Sequence, residues 1–167
     1  MTEPAKQKII IVDENDEIIG HEERGAFKKK NIYRVSALWI TNSRGEILLA
    51  KRHHSKAHHP GMWGPAVAGT VEKGETYLDN IIKEAEEELG LKNIKPELGP
   101  KTKIDGSYHF TQWFMLTIDK KADEFVLQED EVEAVAWISP EELRKHAQER
   151  PEEFVSNMKK YIESLLP

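Results

Sequence analysis

The sequence contains no cysteine. That absence removes disulfides, thiolate nucleophiles and cysteine-ligated metals together. No apolar run approaches the roughly 20 residues of a membrane-spanning helix, and no repeat, low-complexity tract or flexible linker interrupts the chain. Its start, MTEPAKQKIIIVDENDE, lacks the basic region, apolar stretch and small-residue cleavage site of a secretory signal, so the expected location is cytoplasmic. Net positive charge is missing too. The formal charge of −6 argues against nonspecific nucleic-acid binding, because the phosphate backbone would repel the protein as a whole. Any phosphate must meet local cations.

What is present describes a globular chain. With 167 residues, 38% hydrophobic and 32% charged, it is long enough for a single domain over 1–167 with a core of its own. Apolar segments flank the turn residues Asp13 to Asp16, which reads as an N-terminal hairpin over about 8–20. Tyr33 to Ile40 and Ile47 to Lys51, separated by Asn42, Ser43, Arg44 and Gly45, give a second hairpin signal. Trp63 to Val71 contains Gly64, Pro65 and Gly69 and reads as one irregular strand whose backbone comes close to something at Gly69. Tyr108 to Ile118 and Val132 to Ile138 are aromatic and β-branched enough for strands. Helices are expected after Thr76, with Gly90 as the stop, after Ser139-Pro140, and over about 151–166, where Phe154, Val155, Met158, Ile162, Leu165 and Leu166 form a stripe. Strands interleaved with helices imply an α/β fold with a mixed β-sheet between helical layers.

The chemistry concentrates in GTVEKGETYLDNIIKEAEEELGL, residues 69–91. At 100° per residue, Glu87 and Glu88 stand about 60° and 40° to either side of Glu84, so three carboxylates share one helical face. The stripe of Leu78, Ile81, Ile82, Ala85 and Leu89 is centred about 110° away, free to dock on a sheet. Like-charge pairs at these spacings oppose a helix by only about 0.2–0.5 kcal/mol each. A solvated acidic face would therefore explain the triplet alone. It does not explain Gly69 and Glu75 at their fixed distances ahead of it.

With those positions included, the segment resembles the signature of Nudix hydrolases: a glycine, five residues, a glutamate, seven residues, Arg-Glu, an apolar and a free position, Glu-Glu, a free position, Gly and an apolar residue. Gly69, Glu75, Glu84, Glu87, Glu88, Gly90 and Leu91 match, and Lys83 stands where the family usually has arginine. The resemblance implies a Nudix-like α/β/α sandwich and a divalent-metal-dependent pyrophosphohydrolase. Its substrate would be a small-molecule diphosphate, a nucleoside diphosphate linked to another group or a (d)NTP. By the same resemblance Glu84, Glu87 and Glu88 are metal ligands with the Gly69 carbonyl, and Glu87 or Glu88 helps to activate water. Glu75 pairs with Lys83 to fix the helix, where lysine supplies the charge but not the planar fork of arginine. Mg²⁺ or Mn²⁺ is the expected cofactor, since hard cations prefer oxygen ligands. A further acidic base or ligand from beyond the signature is expected at Glu131, with Glu129 and Glu133 behind it.

Lys51, Arg52 and Lys56 lie in the charged stretch KRHHSKAHHPG and are the expected phosphate contacts. His53, His54, His58 and His59 read as solvated or substrate-side residues, because Pro60 and Gly61 argue for a loop without helical ligand spacing. The stretch from Gly45 through Trp63 is similar to the branch containing type 1 isopentenyl-diphosphate isomerases. Those enzymes need a cysteine two strand positions before a metal-binding histidine, and here Ala68 and Thr70 occupy these places. The proton-transfer thiol is missing. A non-catalytic Nudix-fold binding module is a further alternative, and the chain is expected as a monomer or homodimer. Trp63, Tyr108, Phe110 and Trp113 read as core residues, with stacking on a base as the alternative.

Overall fold

A computed structural model describes residues 6–26 and 30–167. Strand β1 (Lys8–Val12) turns through Asp13, whose Oδ1 accepts from the Asn15 and Glu17 amides at 2.8 and 3.0 Å, into β2 (Ile18–Glu23). The N-terminal hairpin forms as expected, and its second strand runs to Glu23 because Gly20 to Glu23 still pair with β1.

The second hairpin signal yields a turn but hardly a hairpin. Strands β3 (Ile32–Thr41) and β4 (Ile47–Arg52) pair only at Thr41 and Ile47 before they diverge. Asn42 closes the turn by accepting from the Arg44 and Glu46 amides, both at 3.0 Å. The segment expected as one irregular strand is two, β5 (Trp63–Pro65) and β6 (Val67–Thr70). They join different partners: β5 pairs with β4, and β6 runs antiparallel to β3.

Helix α1 (Tyr77–Leu89) starts at Thr76, whose hydroxyl accepts from the Asp79 amide while the Asp79 carboxylate accepts from the Thr76 amide. This reciprocal cap satisfies two amides that the first turn would leave open. Gly90 ends the helix in the left-handed region, at φ 67°, where a side chain would also strike Val126. Strand β7 (Glu97–Thr102) was not anticipated, since Gly99 and Pro100 break the strand pattern and sit at a bulge. Strand β8 (His109–Thr117) lies parallel to β3 over nine residues, and β9 (Val132–Ile138) lies antiparallel to β4. Helix α2 (Pro140–Glu149) is capped by Ser139.

The helix expected over 151–166 is broken. A single 3-10 turn (Pro151–Glu153) precedes an extended stretch, and only α3 (Met158–Leu165) is α-helical. Backbone pairing won over helical periodicity: the Val155 amide donates to the Trp63 carbonyl at 2.9 Å, and Phe154 is buried in the core. Gly64 permits the approach, for a Cβ there would stand 3.2 Å from Val155 Cγ1.

Strand alternation builds the two larger cores. Leu38 and Ile40 of β3, Leu48 and Ala50 of β4 and Phe114 of β8 face α1 through Ile81, Ala85 and Leu89. The alternate residues Ala37, Trp39, Ile47, Leu49 and Trp113 face α2 and α3 through Leu143, Ala147, Met158 and Ile162. The result is the expected α/β/α arrangement around a mixed sheet. Burial of each Ile or Leu contributes about 1.5–3 kcal/mol, so α1 is held chiefly by this face. Leu78, expected on the stripe, is exposed, because Tyr77 fills the first-turn contact with Ile10 and Val12 instead.

Candidate active site

Antiparallel pairing with β3 sets Gly69 directly beneath α1. A Cβ at this position would lie 2.5 Å from Glu84 Cγ and 3.0 Å from Asn80 Oδ1, so only glycine admits the helix at this distance. Asn80 is fully buried and its Oδ1 has no hydrogen-bond partner among the described residues. Its Nδ2 donates to the Thr70 carbonyl at 3.1 Å and to Glu75 Oε2 at 3.3 Å. Lys83 Nζ donates to the other oxygen, Glu75 Oε1, at 2.9 Å. Two side chains thus share the two-pronged grip on Glu75 that one arginine fork would provide. Lys83 also lies 3.5 Å from Glu72 Oε2 and 4.0 Å from Glu84 Oε1. Burial disfavours its charge, but Glu75, Glu72 and Glu84 outweigh this and raise its pKa.

Glu84, Glu87 and Glu88 line a cleft of about 410 Å³ together with Gly69, Arg52, Lys56 and Glu131. The carboxylates differ in setting. Burial above all, with repulsion from Glu87, pushes Glu84 up to about 7, although Lys83 pulls the other way. Burial and then the neighbouring Glu84 and Glu131 push Glu88 up to about 8. Glu87 is exposed at the rim. This set of oxygen donors, two half-buried and one exposed, fits a hard divalent cation with room for water in its shell.

Glu131 reaches the cleft because its loop is tied to the end of α1. The Val126 amide donates to the Leu89 carbonyl at 3.2 Å and the Gln128 amide to the Glu88 carbonyl at 3.0 Å. Lys56 then pairs with Glu131 at 2.6 Å across the cleft. Arg52 Nε donates to the His58 carbonyl at 2.9 Å, which holds its guanidinium at the cleft wall. Lys51 is placed differently. It lies 3.6 Å from Glu133 and lines an adjoining cavity of about 220 Å³ that shares Arg52, Glu88 and Glu131 with the cleft.

That second cavity is walled by Trp113, His109 and Tyr161. Trp113 is the buried core residue expected, set edge-on to Trp39 and Tyr161. Trp63 and Phe110 are half-buried, and Tyr108 is exposed, contrary to the expectation of core. Sequence reasoning also missed Arg24, Glu72 and Gln128, which complete the cleft wall. None carries a spacing signal, since each arrives from a separate loop or strand end.

Comparison with known proteins gives the family and the fold. The family model of the NUDIX domain matches residues 30–160, and the chain belongs to the Nudix family. It is 30% identical over 145 residues to an uncharacterised Nudix hydrolase of Yersinia pestis, covering 83% of this chain and 76% of the relative. It is 31% identical over 140 residues to the uncharacterised Nudix hydrolase YfcD of Salmonella typhi, with the same coverage. Among solved structures, DR0079 from Deinococcus radiodurans superposes with a TM-score of 0.85 at 22% identity, over 96% of this chain and 100% of that one. A MutT protein from Methanosarcina mazei gives 0.66 at 18% identity, over 82% and 94%. These likenesses establish the Nudix fold. No helix among the described residues is long and apolar enough to cross a membrane.

Proposed function

We propose that this Nudix protein is a divalent-metal-dependent pyrophosphohydrolase that cleaves a diphosphate linkage in a nucleoside diphosphate linked to another group, or in a (d)NTP. The observation that carries this reading is the meeting of Glu84, Glu87, Glu88 and Gly69 with Arg52, Lys56 and Glu131 around one cleft. Anionic ligands for a cation thereby face cationic contacts for phosphate. Glu84, Glu87, Glu88 and the Gly69 carbonyl would hold Mg²⁺ or Mn²⁺, which supplies charge neutralisation of the diphosphate and acidifies water. Arg52 and Lys56 bind the phosphate oxygens and align the phosphorus for in-line attack. Glu131, paired with Lys56 at 2.6 Å, accepts the proton of the attacking water once Lys56 turns to the phosphate. A P–O bond of the anhydride breaks as the water oxygen bonds to phosphorus, giving two phosphate-bearing products. Glu75, Lys83 and Asn80 act as supports that keep α1 in place.

In the same reading the enzyme works in the cytoplasm on a small molecule, as monomer or homodimer. Isomerase chemistry is disfavoured, because Ala68 and Thr70 on β6 offer neither thiol nor imidazole for proton transfer to a carbon. Incubation with nucleotide sugars, dinucleotides, (d)NTPs and isoprenoid diphosphates tests the proposal, with products identified by mass, with Mg²⁺ and with chelator. Mg²⁺-dependent appearance of two phosphate-bearing products supports it; binding without products across the panel overturns it in favour of a binding module.

A further inference from the structure

The histidines of the basic loop are not all idle at the surface. Among the described residues, ligand atoms of His53, His54 and Glu133 all lie within 4.8 Å of one another. The two imidazoles are 4.1 Å apart between ring centroids. Glu133 Oε1 accepts from the His54 amide at 2.9 Å and lies 2.6 Å from His54 Nδ1. The His53 amide donates to the Glu131 carbonyl at 3.0 Å, and its Nδ1 is 2.7 Å from Ser55 Oγ. Backbone and side chain together thus hold both rings at the start of β9. None of the three residues lines the carboxylate cleft.

We propose that His53, His54 and Glu133 form a second metal site, for a borderline transition cation of the Zn²⁺, Co²⁺ or Ni²⁺ class. Two imidazole nitrogens and one carboxylate oxygen suit such ions, whereas Mg²⁺ prefers oxygen ligands alone. Three protein ligands leave the remaining positions to water. The site lies where the loop carrying Arg52 and Lys56 meets the strand that follows Glu131, so an ion there staples the phosphate-binding loop to β9. Lys51 is the built-in competitor. Its ammonium, 3.6 Å from Glu133 Oε2, must withdraw before a cation can use that carboxylate.

Co²⁺ titration followed by calorimetry and visible absorption, in excess Mg²⁺ to occupy the oxygen-ligand cleft, tests the site. Wild-type protein should take one Co²⁺ with imidazole-type absorption, and Zn²⁺ should displace it. The double variant His53→Ala/His54→Ala should lose this binding, and Glu133→Gln should weaken it about tenfold or more. Lys51→Ala should tighten it, and His58→Ala/His59→Ala should leave it unchanged. Matched melting curves without metal establish that the variants are folded. Absence of Co²⁺ binding at about 100 µM in wild type, or equal binding in the His53/His54 variant, overturns the assignment.

Discussion

Two carboxylate sites in this molecule, one buried and one half-buried, behave in opposite ways. Asp16, at the tip of the first hairpin, is surrounded by donors: Lys101 Nζ at 2.6 Å, Arg34 Nε at 2.7 Å and the Tyr77 hydroxyl at 3.0 Å. Burial would raise its pKa, but these donors outweigh it and hold the carboxyl below the ordinary range. Glu84 and Glu88, on the helix that Tyr77 begins, are half-buried with too few cations, and their pKa values rise to about 7 and 8. The first site is electrostatically closed and structural. The second is open toward positive charge, as a site that receives a cation must be. They are linked mechanically, for Arg34 and Lys101 each stand 5.0 Å from the Tyr77 ring and Ser36 Oγ donates to the Tyr77 carbonyl at 2.8 Å. The closed cluster fixes the first turn of the helix that carries the open one.

The largest stability effect should come from opening the closed site. Asp16→Asn keeps a residue that tolerates the positive φ of 63° and keeps the backbone carbonyl that accepts from Arg34, but it removes the carboxylate charge that Arg34 and Lys101 share, and should cost about 3 kcal/mol in denaturant unfolding. Because the folded pKa of Asp16 is depressed, its contribution is present above the unfolded value of about 4 and is lost as pH falls through the folded one. The variant should therefore flatten the acid limb of the stability curve. Gly69→Ala attacks the open site by steric means: its Cβ must displace Glu84, and turnover should fall about a hundredfold, roughly 2.7 kcal/mol in barrier, with a smaller change in melting temperature.

Glu88→Gln should do the reverse of Asp16→Asn. A folded pKa of about 8 lies above the unfolded value near 4.3, so stability without metal falls as pH rises from about 4 through 8. The variant should be more stable than wild type by about 1–2 kcal/mol at alkaline pH without metal, while losing turnover. Equal pH profiles would contradict the comparison. The smallest effect is expected from Lys83→Arg, within about 0.5 kcal/mol, because Lys83 and Asn80 already divide the grip on Glu75.

The carboxylate helix was readable from sequence almost to the residue, since its cap, its stop and its buried face all depend on local spacing. Gly69 was readable for the same reason, being set at a fixed distance before α1. Failures share a cause in tertiary pairing. Helical periodicity over 151–166 was real, yet Phe154 and Val155 extend to meet Trp63. Strand β7 hides behind Gly99 and Pro100. The Asp16 cluster draws on four elements far apart in the chain, and neither Asp16 nor Lys101 carries a pattern of its own. Asn80, a polar residue inside the apolar stripe, was the overlooked hint that Lys83 does not act alone.

In the proposed reaction α1 presents an open carboxylate site that works through a bound divalent cation. Turnover of a diphosphate substrate identified in the product screen, measured for wild type and for Glu87→Gln/Glu88→Gln across a Mg²⁺ titration, tests it most directly. Mg²⁺-dependent hydrolysis is expected in wild type, with its loss in a double variant that still unfolds cooperatively. Persistent Mg²⁺-dependent hydrolysis in the folded variant would contradict it.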